Sequence, residues 1–203
     1  EMFGEQPVML WHRSFHELIG NDAAWDSLGV TEADAQREEG ANWSRGHFYE
    51  NGLKAVVPKL GFVFAPERFG AGMFNFLAML HQAGVTTALD MGTGIYGNPA
   101  GEIAGVRAAA YAYPVPVRLI LTPIIVDFLS RGKTPEESLA DILEWQADND
   151  ERVMVGNHFK LMIDGAIFSG LAQMGPPGYL DGHRGVWMVP ETVLRAYGEV
   201  FWR

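Results

Sequence analysis

The feature that most constrains this 203-residue sequence is a regular alternation of helix-type and strand-type segments from about residue 56. Helix-type segments repeat apolar residues every three or four positions, whereas strand-type segments are short and rich in β-branched residues. The pattern predicts helices at 66–83, 99–111, from 134 and from 190, and strands at 85–91, 117–122 and 158–163. Such strands pair in parallel through right-handed crossovers. Three units cannot close an eight-stranded barrel, so we expect an α/β fold that is either an open sheet or part of a barrel.

Residues 1–55 lack this alternation and are rich in Trp, His, Arg and Asn. They contain two predicted short helices, at 22–28 and 31–39. We therefore expect a small, partial α+β region at 1–55 and an α/β region at 56–203.

The two ends of the sequence are also informative. It opens at Glu1 without an initiating Met, and the helix predicted from Pro190 keeps its apolar spacing to the end without a Gly or Asn cap. These ends predict an interior piece of a larger enzyme.

The composition excludes several classes of protein. Asp and Glu total 25 against 15 Lys and Arg, a net charge of -10, which argues against nucleic acid or an anionic membrane as the main partner. Cysteine is absent, so any metal must be bound by His, carboxylates or a modified Lys. No apolar run approaches the ~20 residues of a membrane span, and no signal-peptide pattern opens the sequence. We expect a cytoplasmic protein.

The segment Gly92–Gly97 is a literal G-x-G-x-x-G that directly follows a predicted strand. In a dinucleotide fold the helix begins within this motif, so that its N-terminus binds the pyrophosphate. Here Pro99 starts the helix after the third glycine, and the next strand lacks the acidic residue at its end that would bind the ribose. Both features depart from the dinucleotide motif, and a nucleotide-binding oxidoreductase domain is kept only as the alternative interpretation of this turn.

Lys160 lies in the middle of the third predicted strand. Side chains alternate along a strand, which places His158, Lys160, Met162 and Asp164 on one face. A central lysine in such a strand is costly unless it is paired or functional. Desolvation favours the neutral amine, which can act as a base, form a Schiff base or be carboxylated by carbon dioxide. A lysine that extends to the sheet edge, or one that pairs with Asp164, stays open as an alternative.

Three other polar residues are candidates for binding. His12 and His16 have the i, i+4 spacing that can hold a metal on a helix, but the mixed polarity of this segment argues against a regular helix. We expect one of the two to face a binding cleft. Asp90 ends its predicted strand, where α/β enzymes place functional carboxylates, and it could equally cap the following loop.

Three stretches resemble YtcJ-like metal-dependent amidohydrolases and occur in that family's order. Residues 8–21 resemble its Arg…His…Asn segment, residues 83–92 its second barrel strand, and residues 159–165 with 179–182 its fourth strand and the following loop. The resemblance implies a (β/α)8, or TIM, barrel with a small α+β insertion after the first strand. Residues 1–55 would be the later part of that insertion, and residues 56–203 would form strands two to four with their helices.

The resemblance also implies hydrolysis of the C–N bond of small amide or N-acyl substrates. Lys160 matches the fourth-strand lysine that related enzymes carboxylate to bridge two divalent metal ions, with zinc as the expected metal. A one-metal site without carboxylation is the alternative. The residues expected to bind substrate are His16, Arg13, Asn21, Asp90 and Asp164.

The superfamily's other metal ligands are His-x-His on the first strand, His on the fifth and sixth and Asp on the eighth, and this sequence has no counterpart of them. We therefore expect the 203-residue chain alone to be inactive. We also expect it to be poorly soluble, because three parallel strands leave open edges. A non-catalytic barrel used only for binding is the third interpretation, and a homodimer is among the assembly states that the sequence leaves open.

Overall fold

A computed structural model describes residues 3–63, 65–95 and 97–202; Glu1, Met2, Phe64, Tyr96 and Arg203 lie outside the described residues. The chain divides into two compact units. The first unit comprises Glu1–Phe62 and Ile163–Pro190, and the second comprises Val63–Met162 and Glu191–Arg203. The segment from Ile163 to Pro190 belongs to the first unit, and the domain boundary near residue 55 stays a prediction.

The first unit contains short strands, short helices and 3-10 turns. Its strands are β1 Met9–Trp11, β2 Glu17–Gly20, β3 Ala41–Asn42 and β4 His47–Tyr49, and its helices are α1 Asp22–Leu28 and α2 Glu32–Gln36. Further 3-10 helices lie at Trp43–Arg45, Glu50–Ala55, Val57–Lys59 and Ile167–Ser169. The strands form an antiparallel sheet in the order β1-β2-β4-β3. Leu18 and Phe48 are buried partners in it, and Trp25 of α1 packs edge-on against Phe48 at 4.9 Å between ring centroids.

Local capping signals start both helices of this unit. The Asn21 side chain accepts a hydrogen bond from the Ala24 N–H at the start of α1, and Thr31 forms a capping box with Asp34 at the start of α2. The helix predicted at 22–28 is confirmed, and the one predicted at 31–39 is confined to Glu32–Gln36.

The second unit contains a parallel sheet in the expected helix–strand alternation. Its strands are β5 Thr87–Thr93, β6 Arg118–Pro123 and β7 Val153–Val155. Its helices are α3 Pro66–Gln82, α4 Pro99–Ala112, α5 Ile125–Ser130, α6 Pro135–Gln146 and α7 Glu191–Phe201. The strand order is β5-β6-β7, with both pairs parallel. The expected α/β class is confirmed, the described strands form no closed barrel, and the assignment to part of a TIM barrel stays a prediction.

The third parallel strand differs from the prediction. The sequence predicts a regular strand at 158–163, but the strand lies at Val153–Val155, and Lys160 makes only a single parallel bridge to Ile124. The alternating apolar residues of this segment do not belong to a regular strand. Phe159 belongs to an aromatic cluster, where it stacks on Phe201 at 4.0 Å between ring centroids.

The two faces of the parallel sheet are unlike. Sequential strand order with right-handed crossovers places the connecting helices on one face. Leu119 and Leu121 of β6 are buried on that face. On the opposite face Ile120 pairs with Leu89 of β5, whose side chain is 46% exposed. We call this second face, which carries Leu89 and Ile120, the open face.

Among the described helices, none combines the length and apolar character needed to cross a membrane.

Candidate functional site

Lys160 lies beside the carboxyl end of β6. Its backbone N–H donates to the Pro123 carbonyl at 2.9 Å, and its own carbonyl accepts from the Ile125 N–H at 3.0 Å. These bonds flank the parallel bridge to Ile124. The parallel neighbour expected for Lys160 is therefore present, although the regular strand around it is not.

The register assigns the Lys160 side chain to a face of the sheet. Residues paired in a ladder point to the same face, and residues two apart on a strand share a face. Ile120, Thr122 and Ile124 thus share the open face, which is fully buried at Thr122 and Ile124, and Lys160, opposite Ile124, joins them. The side chain is partly buried, and its amine has no hydrogen bond or ion pair within the part of the chain that the structure describes.

Asp90 lies on the other face of the same sheet. It pairs with Leu121, which belongs to the helix-covered face. One carboxylate oxygen accepts from the Gly92 N–H at 3.2 Å, and the other accepts from the Thr93 hydroxyl. The structure therefore does not bring Asp90 together with Lys160. Its observed contacts are those of a loop cap, which was the alternative reading of its position.

The glycine-rich turn at the end of β5 is held by carboxylates of the same chain. Glu102, in the first turn of α4, accepts the Gly94 N–H at 2.9 Å, and Asp90 accepts the Gly92 N–H. In an anion-binding loop these backbone donors face phosphate instead. Helix α4 begins only at Pro99, after the turn. The geometry disfavours a pyrophosphate at Gly92–Gly97, of which Tyr96 lies outside the described residues.

Glu102 is part of a carboxylate cluster that was not predicted from the sequence. Burial raises the pKa of its carboxyl to about 7, and the charges of Asp90 and Asp127 add to this, while the Gly94 N–H opposes it. Asp127 is itself buried, and its Oδ2 accepts from the Arg131 Nε at 2.9 Å. The Asp127 Oδ1 has no hydrogen-bond partner among the described residues. An acidic residue in a first helical turn is common, so the sequence carried no special signal for this cluster.

In the first unit, His16 follows the turn that joins β1 to β2, and residues 12–16 form no helix. The His12 N–H donates to the Glu17 carbonyl at 2.8 Å, which closes the turn. The His12 Nδ1 lies 2.7 Å from the Ser14 hydroxyl, whereas the His16 Nδ1 lies 2.9 Å from the Glu50 Oε2. The helical His12/His16 metal pair is therefore not formed.

Glu50 and a neighbouring pair extend this group of polar residues. The Glu50 side chain is 2% exposed, and its second oxygen accepts from the Ala166 N–H at 2.5 Å. Next to it on the sheet, the Glu17 Oε2 lies 3.1 Å from the His47 Nε2. The Ser169 hydroxyl and His47 hold the pKa of Glu17 below its usual value, against the effect of burial. Neither glutamate was recognised from the sequence, because their partners are distant along the chain.

Asn21 has a structural role. Its Oδ1 accepts from the N–H groups of Val8 at 2.9 Å and Ala24 at 3.1 Å, and its Nδ2 donates to the Gln6 carbonyl at 2.8 Å. These bonds connect the start of α1 to the segment before β1. The side-chain amide is engaged on both of its ends, and substrate contact by Asn21 stays a prediction.

The two other residues expected to bind substrate, Arg13 and Asp164, differ in their surroundings. Arg13 is exposed and forms no ion pair with any residue in the described ranges. The Asp164 Oδ2 accepts from the Gln173 N–H at 2.8 Å, next to the Asp164–Trp187 bridge. Arg13, His16, Asn21 and Asp164 belong to the first unit and Lys160 to the second.

No family model matches the chain, and neither does any curated protein or solved structure. The functional assignment therefore depends on the geometry of the residues described above and on the resemblance in the sequence.

Proposed function

We propose that this chain is part of a YtcJ-like metal-dependent hydrolase of the amidohydrolase superfamily, and that its second unit is part of a (β/α)8 barrel. The reaction would be hydrolysis of the C–N bond of a small amide or N-acyl substrate. The observation that carries the proposal is Lys160 on the open face at the carboxyl end of β6. Barrel enzymes assemble their active sites at this end of the strands.

A divalent metal, zinc by the resemblance, fits Lys160 as one ligand. The amine has no partner within the described residues, and the side chain is partly buried on the face that carries Ile124. A neutral lysine amine can attack carbon dioxide, forming an N–C bond and releasing a proton, and the carbamate then offers two oxygens that share one negative charge. The described residues contain no group of three or more His, Asp or Glu that could hold a metal. The proposal therefore requires further ligands from polypeptide outside this sequence.

Because the other metal ligands would come from outside this sequence, the described residues contribute only part of the active site. A bound divalent ion would supply a water that ionises near neutral pH and would polarise the scissile carbonyl. The Lys160 carbamate would hold the ion on the open face. In the first unit, His16 offers a ligand its Nε2, the ring nitrogen that has no hydrogen bond to a described residue.

The reading frame that encodes these residues tests the assignment. We expect it to carry His-x-His before residue 1, and two His and one Asp after residue 203. The encoded protein should release an amine or ammonia from a panel of amide and N-acyl compounds, and a chelator should abolish the reaction. A frame without these ligands would overturn the proposal. Chelator-sensitive turnover by the 203-residue chain alone would also contradict it, because this chain offers at most one ligand.

Lys160→Ala provides the residue-level test in the encoded protein. Loss of a metal ligand is expected to lower kcat/KM by about 100-fold or more, together with the zinc content measured by elemental analysis. Lys54→Ala is the matched control, because Lys54 is exposed at the end of a 3-10 helix. Normal zinc content and activity in Lys160→Ala would remove Lys160 from the metal site.

A further inference from the structure

The contact between His16 and Glu50 is the least ordinary polar contact of the first unit. Glu50 is a buried glutamate, and each of its oxygens faces one nitrogen: Oε1 faces the Ala166 amide and Oε2 faces the His16 Nδ1. A buried carboxylate is retained only when its oxygens receive hydrogen bonds. Both oxygens of Glu50 meet this condition.

The backbone is strained on both sides of this contact. Phe15, directly before His16, has a φ of 64°, and Glu50 itself has a φ of 48°. Side-chain-bearing residues rarely occupy this left-handed region, and such strain is concentrated at functional sites. Phe15 is also 61% exposed, so burial of its ring does not account for the strained turn. The fold thus maintains an unfavourable backbone at Glu50, one partner of this hydrogen bond, and at Phe15, the residue directly before the other partner.

The geometry also determines what His16 presents to its surroundings. An ionised carboxylate only accepts hydrogen bonds, so a contact at 2.9 Å places the proton of a neutral imidazole on Nδ1. Nε2 then carries a lone pair. The His16 side chain is 33% exposed, and Nε2 has no hydrogen bond to a described residue.

We propose that Glu50 is a positioning residue that holds His16 as the Nδ1–H tautomer and directs the Nε2 lone pair at an N–H or O–H group of a bound ligand. The ligand class follows from this polarity, because a lone pair selects a hydrogen-bond donor. The identification of that donor as a substrate amide N–H rests on the proposed function. The tautomer itself does not.

Imidazole ¹⁵N spectra of the 203-residue chain at pH 8 test the tautomer directly. In the unmodified protein we expect a protonated Nδ1 and an unprotonated Nε2 for His16. In Glu50→Gln, the amide oxygen stays with the Ala166 N–H and the amide nitrogen turns to His16, so the proton is expected to move to Nε2. The matched control is Glu17→Gln, which should change His47, the partner of Glu17 at 3.1 Å, and leave His16 unaltered.

The spectrum of the unmodified protein tests the proposal even if Glu50→Gln does not fold. A His16 proton on Nε2 in that spectrum would overturn the proposal. In the encoded enzyme, Glu50→Gln should lower kcat/KM about 10-fold or more, whereas Glu17→Gln should stay within about twofold. If the tautomer is found but no hydrolysis, the positioning role stands and the proposed function falls. If hydrolysis is found and Glu50→Gln changes neither tautomer nor kcat/KM, the positioning role falls.

Discussion

At the scale of single residues, Glu102 shows how a turn and its electrostatics are linked. Its carboxylate stabilises the Gly94 turn by accepting a backbone N–H at 2.9 Å, but it does so in a partly buried position beside Asp90 and Asp127. Burial and like charge therefore oppose the ionised form, which raises the pKa to about 7. The hydrogen bond survives protonation, because a neutral carboxyl still has a carbonyl oxygen that can accept.

Glu102→Gln tests this balance through the pH dependence of stability. Between the unfolded pKa of 4.5 and the folded pKa of about 7, the folded state binds the proton more tightly. The stability contributed by Glu102 is thus present below about pH 4.5 and lost as pH rises through 7. The glutamine variant should be more stable by on the order of 2–3 kcal/mol at pH 8 and unchanged near pH 4.

Urea unfolding at the two pH values measures this difference. Glu144→Gln, at an exposed site on α6, is the matched control and should show no such gain. An equal stability change at both pH values in Glu102→Gln would show that the effect is not due to titration.

At the scale of elements, the helix starts were predictable and the third strand was not. Asn21 and Thr134 are capping residues whose partners lie three positions away, so a short window of sequence contains the whole interaction. The segment around Phe159 has the alternation of a strand, but its ring stacks on Phe201, which is remote in the chain. Glu50 was missed for the same reason: its role depends on His16 and on Ala166, which no local pattern reveals.

Thr134→Ala tests the capping box at the start of α6. The Thr134 hydroxyl accepts from the Glu137 N–H at 3.2 Å, and the Glu137 carboxylate accepts from the Thr134 N–H at 2.9 Å. Loss of the cap should lower the free energy of unfolding by about 1 kcal/mol. Thr192→Ala, in the exposed first turn of α7, is the control and should stay within about 0.5 kcal/mol. An equal decrease in the free energy of unfolding in the two variants would show that the capping box adds no specific stability.

At the scale of the whole molecule, the open face of the parallel sheet presents apolar surface at a strand edge. Leu89 is 46% exposed on β5, an edge strand in the described sheet. Apolar surface next to an unpaired strand edge promotes association between copies. This is the physical basis for the expected poor solubility of the 203-residue chain.

Leu89→Lys should therefore reduce self-association, because a charge on this face opposes contact between apolar surfaces. Light scattering coupled to size-exclusion chromatography would detect a shift toward the monomer. Leu143→Lys is the control, because Leu143 is 57% exposed on α6, away from the strand edge. A wild-type chain that is already monomeric, or an equal shift in both variants, would contradict the prediction.

The first unit is assembled from two separated stretches of chain, and this affects the order in which it can form during synthesis. Glu50 leaves the ribosome well before the Ala166 amide that completes its hydrogen bonds, because that amide is 116 residues further along the chain. Until that segment emerges, a carboxylate destined for burial lacks one of its two donors. The stretch of the first unit up to Phe62 is therefore made before the parallel sheet and completed only after that sheet has been translated.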